Sequence, residues 1–187
     1  MKQQFNFKKT AIEGLMIVSP FYSEDERGFF MKSYEKEIYE SNGIYLSDTE
    51  DFCSRSNKGV LRGLHFQTEH PQDKLVSVMV GEVWDVVVDL RPNSNTFGKW
   101  QGFYLSEENH LSLYIPKQFA HGFLTLEDQT IITYKCGDFY SKETDTGIMW
   151  NDPDIKIDWP LEKVGNLIIS DRDKKHQSFA EFREKIL

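Results

Sequence analysis

Cysteine is nearly missing from this chain: Cys53 and Cys136 are the only two in 187 residues, and neither belongs to a Cys-x-x-Cys or Cys/His spacing. Neither a disulfide framework nor a structural zinc site has support, because the first needs several cysteines and the second a Cys/His spacing. Each cysteine is read as a buried thiol. Long apolar runs are lacking too. The longest, such as Leu15-Met16-Ile17-Val18, fall far short of the roughly 20 residues needed to cross a bilayer, and the opening MKQQFNFKKTAIEG is polar. A soluble, cytoplasmic protein with no targeting segment and no membrane partner is expected. Positive charge is in deficit, with 22 Lys and Arg against 30 Asp and Glu and a net charge of −8. That argues against nucleic acid as a partner and requires a local basic cluster to hold any anionic ligand. With no repeat, low-complexity tract or Pro/Gly-rich linker, residues 1–187 are taken as a single domain.

What the chain does contain is sheet. From Phe52 to about Trp159, short apolar, β-branched and aromatic runs alternate with turn residues. Strands are predicted at 60–67, 74–80, 83–90, 102–105, 111–115, 121–125 and 130–136. Gly81-Glu82, between two apolar runs, reads as a tight hairpin that would make the flanking strands antiparallel neighbours. Helical patterns occupy 34–41, ahead of Asn42-Gly43, and 177–186, where Phe179, Phe182 and Ile186 share a side. Many short strands with two or three peripheral helices suggest a sandwich, jelly roll or barrel able to enclose a ligand.

Chemistry concentrates in Ser54–Phe66, SRSNKGVLRGLHF, which holds Arg55, Lys58 and Arg62 and no carboxylate. This local reversal of charge suggests an anion site, since the arginine fork suits phosphate or carboxylate. Arg55 and Lys58 are read as solubilising surface; Arg62, between Leu61 and Leu64, is less readily so. His65 is either a base or a buried neutral imidazole. Strict alternation places Arg62 and His65 on opposite faces unless a bulge intervenes at Gly63. No His-x-His pair surrounds His65, and the distant His121 alone makes weak metal ligation.

A longer series of motifs carries a resemblance. It comprises Asp25-Glu26-Arg27-Gly28-Phe29-Phe30, Ser54-Arg55-Ser56, Lys58–Gln67, Gln72–Val76, Gly81-Glu82-Val83, Asp85, Val88–Arg91, Thr96-Phe97-Gly98, Ile115-Pro116, Phe119–Phe123, Tyr134-Lys135, Tyr140 and Trp150–Pro153. Over nearly its whole length the chain resembles the dTDP-4-dehydrorhamnose 3,5-epimerase family. The resemblance implies a mainly β, cupin-like jelly roll that epimerises C3 and C5 of a nucleotide-linked 4-keto-6-deoxyhexose without metal or redox cofactor. A ketone at C4 acidifies both neighbouring carbons, so one base, one opposing acid and one partner for the enolate oxygen suffice.

By the same resemblance His65 is the base and Asp173 the carboxylate supporting it, with Asp171 as the fallback. Tyr134 is the opposing acid, suited by a phenol value near 10, and Lys74 the cation near the enolate oxygen. Substrate binding falls to Arg27 and Arg62 at the diphosphate, Arg172 where the family usually carries a lysine near the substrate, Tyr140 under the nucleotide base, and His121 and Asp145 in the pocket. A homodimer is implied, in which an N-terminal strand crosses over and the Arg27 region helps complete the partner's pocket. The family often reads Gln-Asp-Asn-His where this chain has Glu50-Asp51-Phe52-Cys53, and an acid where it has Lys32. Those changes bear on the nucleotide end of the site, to which Lys32, Glu50 and Phe52 are assigned. The alternatives are a single-centre epimerase on a related nucleotide sugar, a metal-dependent cupin enzyme, or a non-catalytic sugar-binding jelly roll.

Overall fold

A computed structural model describes residues 4–47 and 50–186. In chain order its strands are β1 (Asn6–Lys9), β2 (Met16–Ser19), β3 (Phe21–Asp25), β4 (Gly28–Lys32), β5 (Glu50–Ser56), β6 (Val60–Gln67) and β7 (Lys74–Val80). They continue as β8 (Glu82–Asp89), β9 (Trp100–Ser106), β10 (Ser112–Ile115), β11 (Phe119–Thr125), β12 (Thr130–Cys136), β13 (Asp145–Gly147) and β14 (Ile168–Ile169). Helix α1 (Lys36–Ser41) lies between β4 and β5, and α2 (Phe179–Ile186) follows β14. Helix α2 starts two residues later than the pattern suggested because Ser178 and Glu181 form a reciprocal capping box: Glu181 N donates to Ser178 Oγ and Ser178 N to Glu181 Oε2.

Two large sheets form the jelly roll. One has the order β1-β2-β10-β7-β12-β5; the other runs β13-β6-β11-β8-β9, with β14 added beside β6. Strands β3 and β4 form a separate ribbon. Period-two alternation decides what faces what. Val76 and Val78 of β7, Ile132 of β12, Val83 and Val87 of β8, and Phe119 and Phe123 of β11 meet between the sheets. The opposite faces are covered as well. Tyr39 of α1 and Ile44 pack with Leu75 and Tyr114 outside the first sheet. Trp159, Phe179 and Phe182 cover Leu64, Val86, Val88 and Leu124 outside the second.

The expected hairpin at Gly81-Glu82 does not form. Strand β7 pairs with β10 and β12, whereas β8 pairs with β11 and β9, so at Gly81 (φ +78°) the chain crosses from one sheet to the other. Glu82 is already in strand, opposite Ser106. A tight glycine bend between apolar runs is equally suited to a corner between sheets, and long-range pairing made the choice.

The Gly63 bulge does form. His65 opposes His121 and Arg62 opposes Phe123, so three steps along β6 match two along β11. Gly63 adopts φ +118°, and a Cβ there would lie 2.5 Å from Gly122 Cα. Two glycines let the strands close over the irregularity. Leu61, Leu64 and Phe66 then point outward into the second sheet's cover, while Arg62 and His65 both reach the interior.

Candidate active site

The apolar filling between the sheets stops short at one end, leaving a cavity of about 370 Å³. Alternation along four strands supplies its walls: Phe52 and Ser54 from β5, Arg62 and His65 from β6, Lys74 from β7, Tyr134 and Cys136 from β12. His121 and Phe123 of β11 line it too, and Tyr140, Asp145 and Arg172 stand with them. Nine of the thirteen candidate residues thus meet in one place.

His65 and Asp173 form the centre of one wall. Asp173 opens a 3-10 turn, is buried, and lies with Oδ1 2.8 Å from His65 Nε2 while Oδ2 accepts the Gly63 N–H at 3.4 Å. Burial alone would raise this carboxyl, but the adjacent His176 and His65 imidazoles and the Gly63 N–H outweigh it and hold Asp173 well below the usual carboxylate range. With Nε2 engaged by a carboxylate, Nδ1 is the ring nitrogen left for a ligand. Asp171 makes no such contact; it is 92% exposed beside Lys174.

The facing wall belongs to the other sheet. Burial pushes the Tyr134 hydroxyl well above its ordinary range, partly offset by Ser54, whose Oγ lies 3.5 Å away. Tyr134 therefore carries its proton at neutral pH. Burial lowers the Lys74 ammonium, with Cys136, Asp145 and Asp85 opposing that effect. Cys136 is pushed up to about 11 by burial, so it is a thiol rather than a nucleophilic thiolate. A second imidazole pair lies deeper: His121 Nε2 is 2.8 Å from Asp85 Oδ2, and the other oxygen of Asp85 is buried without a partner. Sequence reading assigned Asp85 no role; its place on β8 opposite Phe123 becomes visible only with the sheet register.

At the mouth, Arg172 Nη2 and Asp145 Oδ2 are 2.5 Å apart beside the half-exposed Tyr140. Glu50 stands behind them, its Oε2 accepting the Tyr140 N–H at 2.8 Å. Arg27 and Lys32 are not brought to this cavity. Arg27 sits at the tip of the β3-β4 ribbon, 84% exposed and paired with Asp25, and Lys32 at its end pairs with Glu35 at 2.6 Å. The ribbon belongs to neither large sheet, so within one chain nothing carries it to the cavity.

A family profile described as dTDP-4-dehydrorhamnose 3,5-epimerase matches residues 9–181. The chain belongs to that family. A dTDP-4-dehydrorhamnose 3,5-epimerase from Methanothermobacter thermautotrophicus is 51% identical over 178 residues, covering 95% of this chain and 96% of its own. One from Escherichia coli is 48% identical over 172 residues, covering 91% and 92%. A crystal structure of the Legionella pneumophila dTDP-6-deoxy-D-glucose-3,5-epimerase, solved with dTDP-4-keto-L-rhamnose, superposes with a TM-score of 0.93 at 43% identity, covering 98% of this chain and 97% of that one. Membership places the cavity of this epimerase-family chain in a context of nucleotide sugars. Among its described residues no helix is long and apolar enough to cross a membrane.

Proposed function

We propose that this chain epimerises C3 and C5 of dTDP-4-dehydro-6-deoxy-D-glucose, giving dTDP-4-dehydro-L-rhamnose. The observation that carries the reading is a single cavity with a carboxylate-supported imidazole on one sheet and a partly buried phenol on the other. His65 Nδ1 takes the proton from a carbon beside the C4 ketone, and the C–H electron pair moves onto the carbonyl oxygen as an enolate. Lys74 supports that oxygen electrostatically. Tyr134 returns a proton to the opposite face of the carbon, inverting it. Because C3 and C5 flank the same carbonyl, one base and one opposing acid serve both in turn.

Asp173 keeps the His65 tautomer and favours its imidazolium after proton transfer, as in other imidazole–carboxylate pairs. Arg62 and Arg172 hold the diphosphate, Tyr140 stacks on the nucleotide base, and Phe52, Glu50, His121 and Asp145 shape the rest of the pocket. Residues 1–187 act as one jelly-roll domain in the cytoplasm, a location in keeping with two free cysteines. Arg27 and Lys32 enter the reading through a homodimer. Phe29 and Phe30 are 57% and 59% exposed on the β3-β4 ribbon, an apolar surface that a second copy would cover. Sedimentation of wild type against a Phe29→Ser/Phe30→Ser variant tests this: a dimer turning to monomer supports it, and a monomeric wild type removes it.

The decisive experiment is proton NMR of the 4-keto substrate in deuterated water. Deuterium entering at both C3 and C5 with wild type, and at neither with His65→Asn, supports the double epimerase. Exchange at one carbon reduces the activity to a single centre, and no exchange overturns the reaction.

A further inference from the structure

The wall behind His65 contains a third group that the proposed reaction does not use. His176 follows the turn that Asp173 opens, and its Nε2 lies 3.3 Å from Asp173 Oδ1, the oxygen that His65 Nε2 meets at 2.8 Å. The His176 side chain is only 6% exposed, and its Nε2 is buried without a well-aligned hydrogen bond. The ring is also held in place, since a Cβ on Gly147 would come within 2.6 Å of that nitrogen. An imidazole nitrogen with only this long contact is thus fixed beside a carboxylate and a second imidazole.

The three donor atoms lie within 4.8 Å of one another. Donors on one tetrahedral zinc, bonded at about 2.0–2.2 Å, stand roughly 3.4 Å apart, inside the range these atoms span. The His65 and His176 rings cross at 80° with centres 5.3 Å apart, close to the separation of about 5 Å that two imidazoles on one such ion require. Ile168, Ser170, Asp173 and His65 line a second cavity of about 390 Å³ on this side, which gives an ion a route in.

We propose that His65, Asp173 and His176 form a binding site for a divalent transition-metal ion of the zinc type. Two imidazoles and one carboxylate select zinc or cobalt over magnesium and calcium, and three protein ligands leave a fourth position for water. The ion would be a reversible inhibitor rather than a resident cofactor. On binding, the ion takes the Nε2 lone pair and the single proton of neutral His65 moves by way of solvent from Nε2 to Nδ1, so no basic nitrogen is left for the substrate. This consequence rests on the epimerase reading; the site itself does not.

Cobalt(II) titration of the metal-free protein, followed by the visible bands of tetrahedral cobalt, tests the site without reference to activity. One equivalent should saturate wild type; His176→Gln should bind at least tenfold more weakly, and magnesium should not compete. Asp173→Asn must lose the bands as well, which keeps the test sound if one variant folds poorly. In parallel, zinc should inhibit wild-type exchange reversibly on chelation, and half-inhibition of the exchange that His176→Gln retains should need at least tenfold more zinc. Absence of tetrahedral bands, bands unchanged in His176→Gln, or a cobalt-loaded protein with full exchange each overturns the proposal. A metal-free wild type that never exchanges deuterium counts against the epimerase reading alone.

Discussion

Two histidine–aspartate pairs of identical length stand side by side in this fold. His65 and His121 are cross-strand partners on β6 and β11, and each has Nε2 2.8 Å from an aspartate. They differ in burial: the His65 side chain is 29% exposed and that of His121 only 6%. They differ in the carboxylate too. Both oxygens of Asp173 are engaged, whereas one oxygen of Asp85 is buried and unpartnered. An imidazole that exchanges protons must reach its ligand; both rings line the cavity, but His65 is the more exposed of the two, which is the difference the proposed role rests on. Residue type and pair geometry are the same in the two pairs; their surroundings are not.

The sharpest way to break this comparison is to replace each imidazole in turn. His65→Asn should lower the exchange rate by about 10³–10⁴-fold with little change in KM, the range expected for loss of a positioned base. If His121→Asn gives an equal loss and His65→Asn does not, the roles are reversed.

Tyr134→Phe comes next. Without the opposing phenol, epimerisation should fall by about 10²–10³-fold, while His65-dependent exchange of deuterium into the unepimerised substrate persists. Product formation and isotope content, read from the same NMR spectra, separate the two events.

Asp173→Asn should cost about 10²-fold in rate and roughly 1.5–3 kcal/mol in stability, the worth of hydrogen bonds to a buried charge. Its pH dependence has a definite sign. Because the folded carboxyl is held below its unfolded value, its stabilisation is complete above about pH 4 and is lost as pH falls through the lower folded value. Wild type should therefore show an acid-unfolding arm in thermal melts below about pH 4 that Asp173→Asn lacks.

The smallest catalytic effect is expected from His121→Asn, within about tenfold and mainly in KM, together with a loss of roughly 1–3 kcal/mol because Asp85 is left buried with neither oxygen well satisfied. Chemical denaturation of this variant beside Asp85→Asn would show which partner the stability depends on.

Much of the central sheet was legible in the order of residues. Strands β6, β7 and β12 occupy the predicted ranges, and β8, β9, β10 and β11 differ only at their ends. These strands are buried, so apolar periodicity marks them. Strands β1, β3 and β4, mostly exposed sequences such as NFKK and FYSED, went unpredicted because edge and ribbon strands are defined by pairing rather than by an apolar face. Strand β5 escaped for the same reason: it is an edge strand whose Phe52 and Ser54 face a ligand cavity instead of a core. The place of His176 was not legible either: nothing in DKKHQS announces that a 3-10 turn folds it back under His65.

By itself the sequence determined that this is a sheet protein with only two cysteines and, through its motifs, the family to which it belongs. Those properties are local or compositional. The tertiary structure decided that Gly81 turns a corner between sheets, that Arg62 and His65 share a face, and that Asp173 rather than Asp171 meets His65. It also decided that Arg27 and Lys32 lie away from the cavity of their own chain. Each of these depends on which distant segment packs opposite: β10 and β12 beside β7, Gly122 against Gly63, the C-terminal turn beneath β6. A pairing between residues as far apart as 65 and 173 leaves no periodic trace in either segment, so it emerges only when the chain closes on itself.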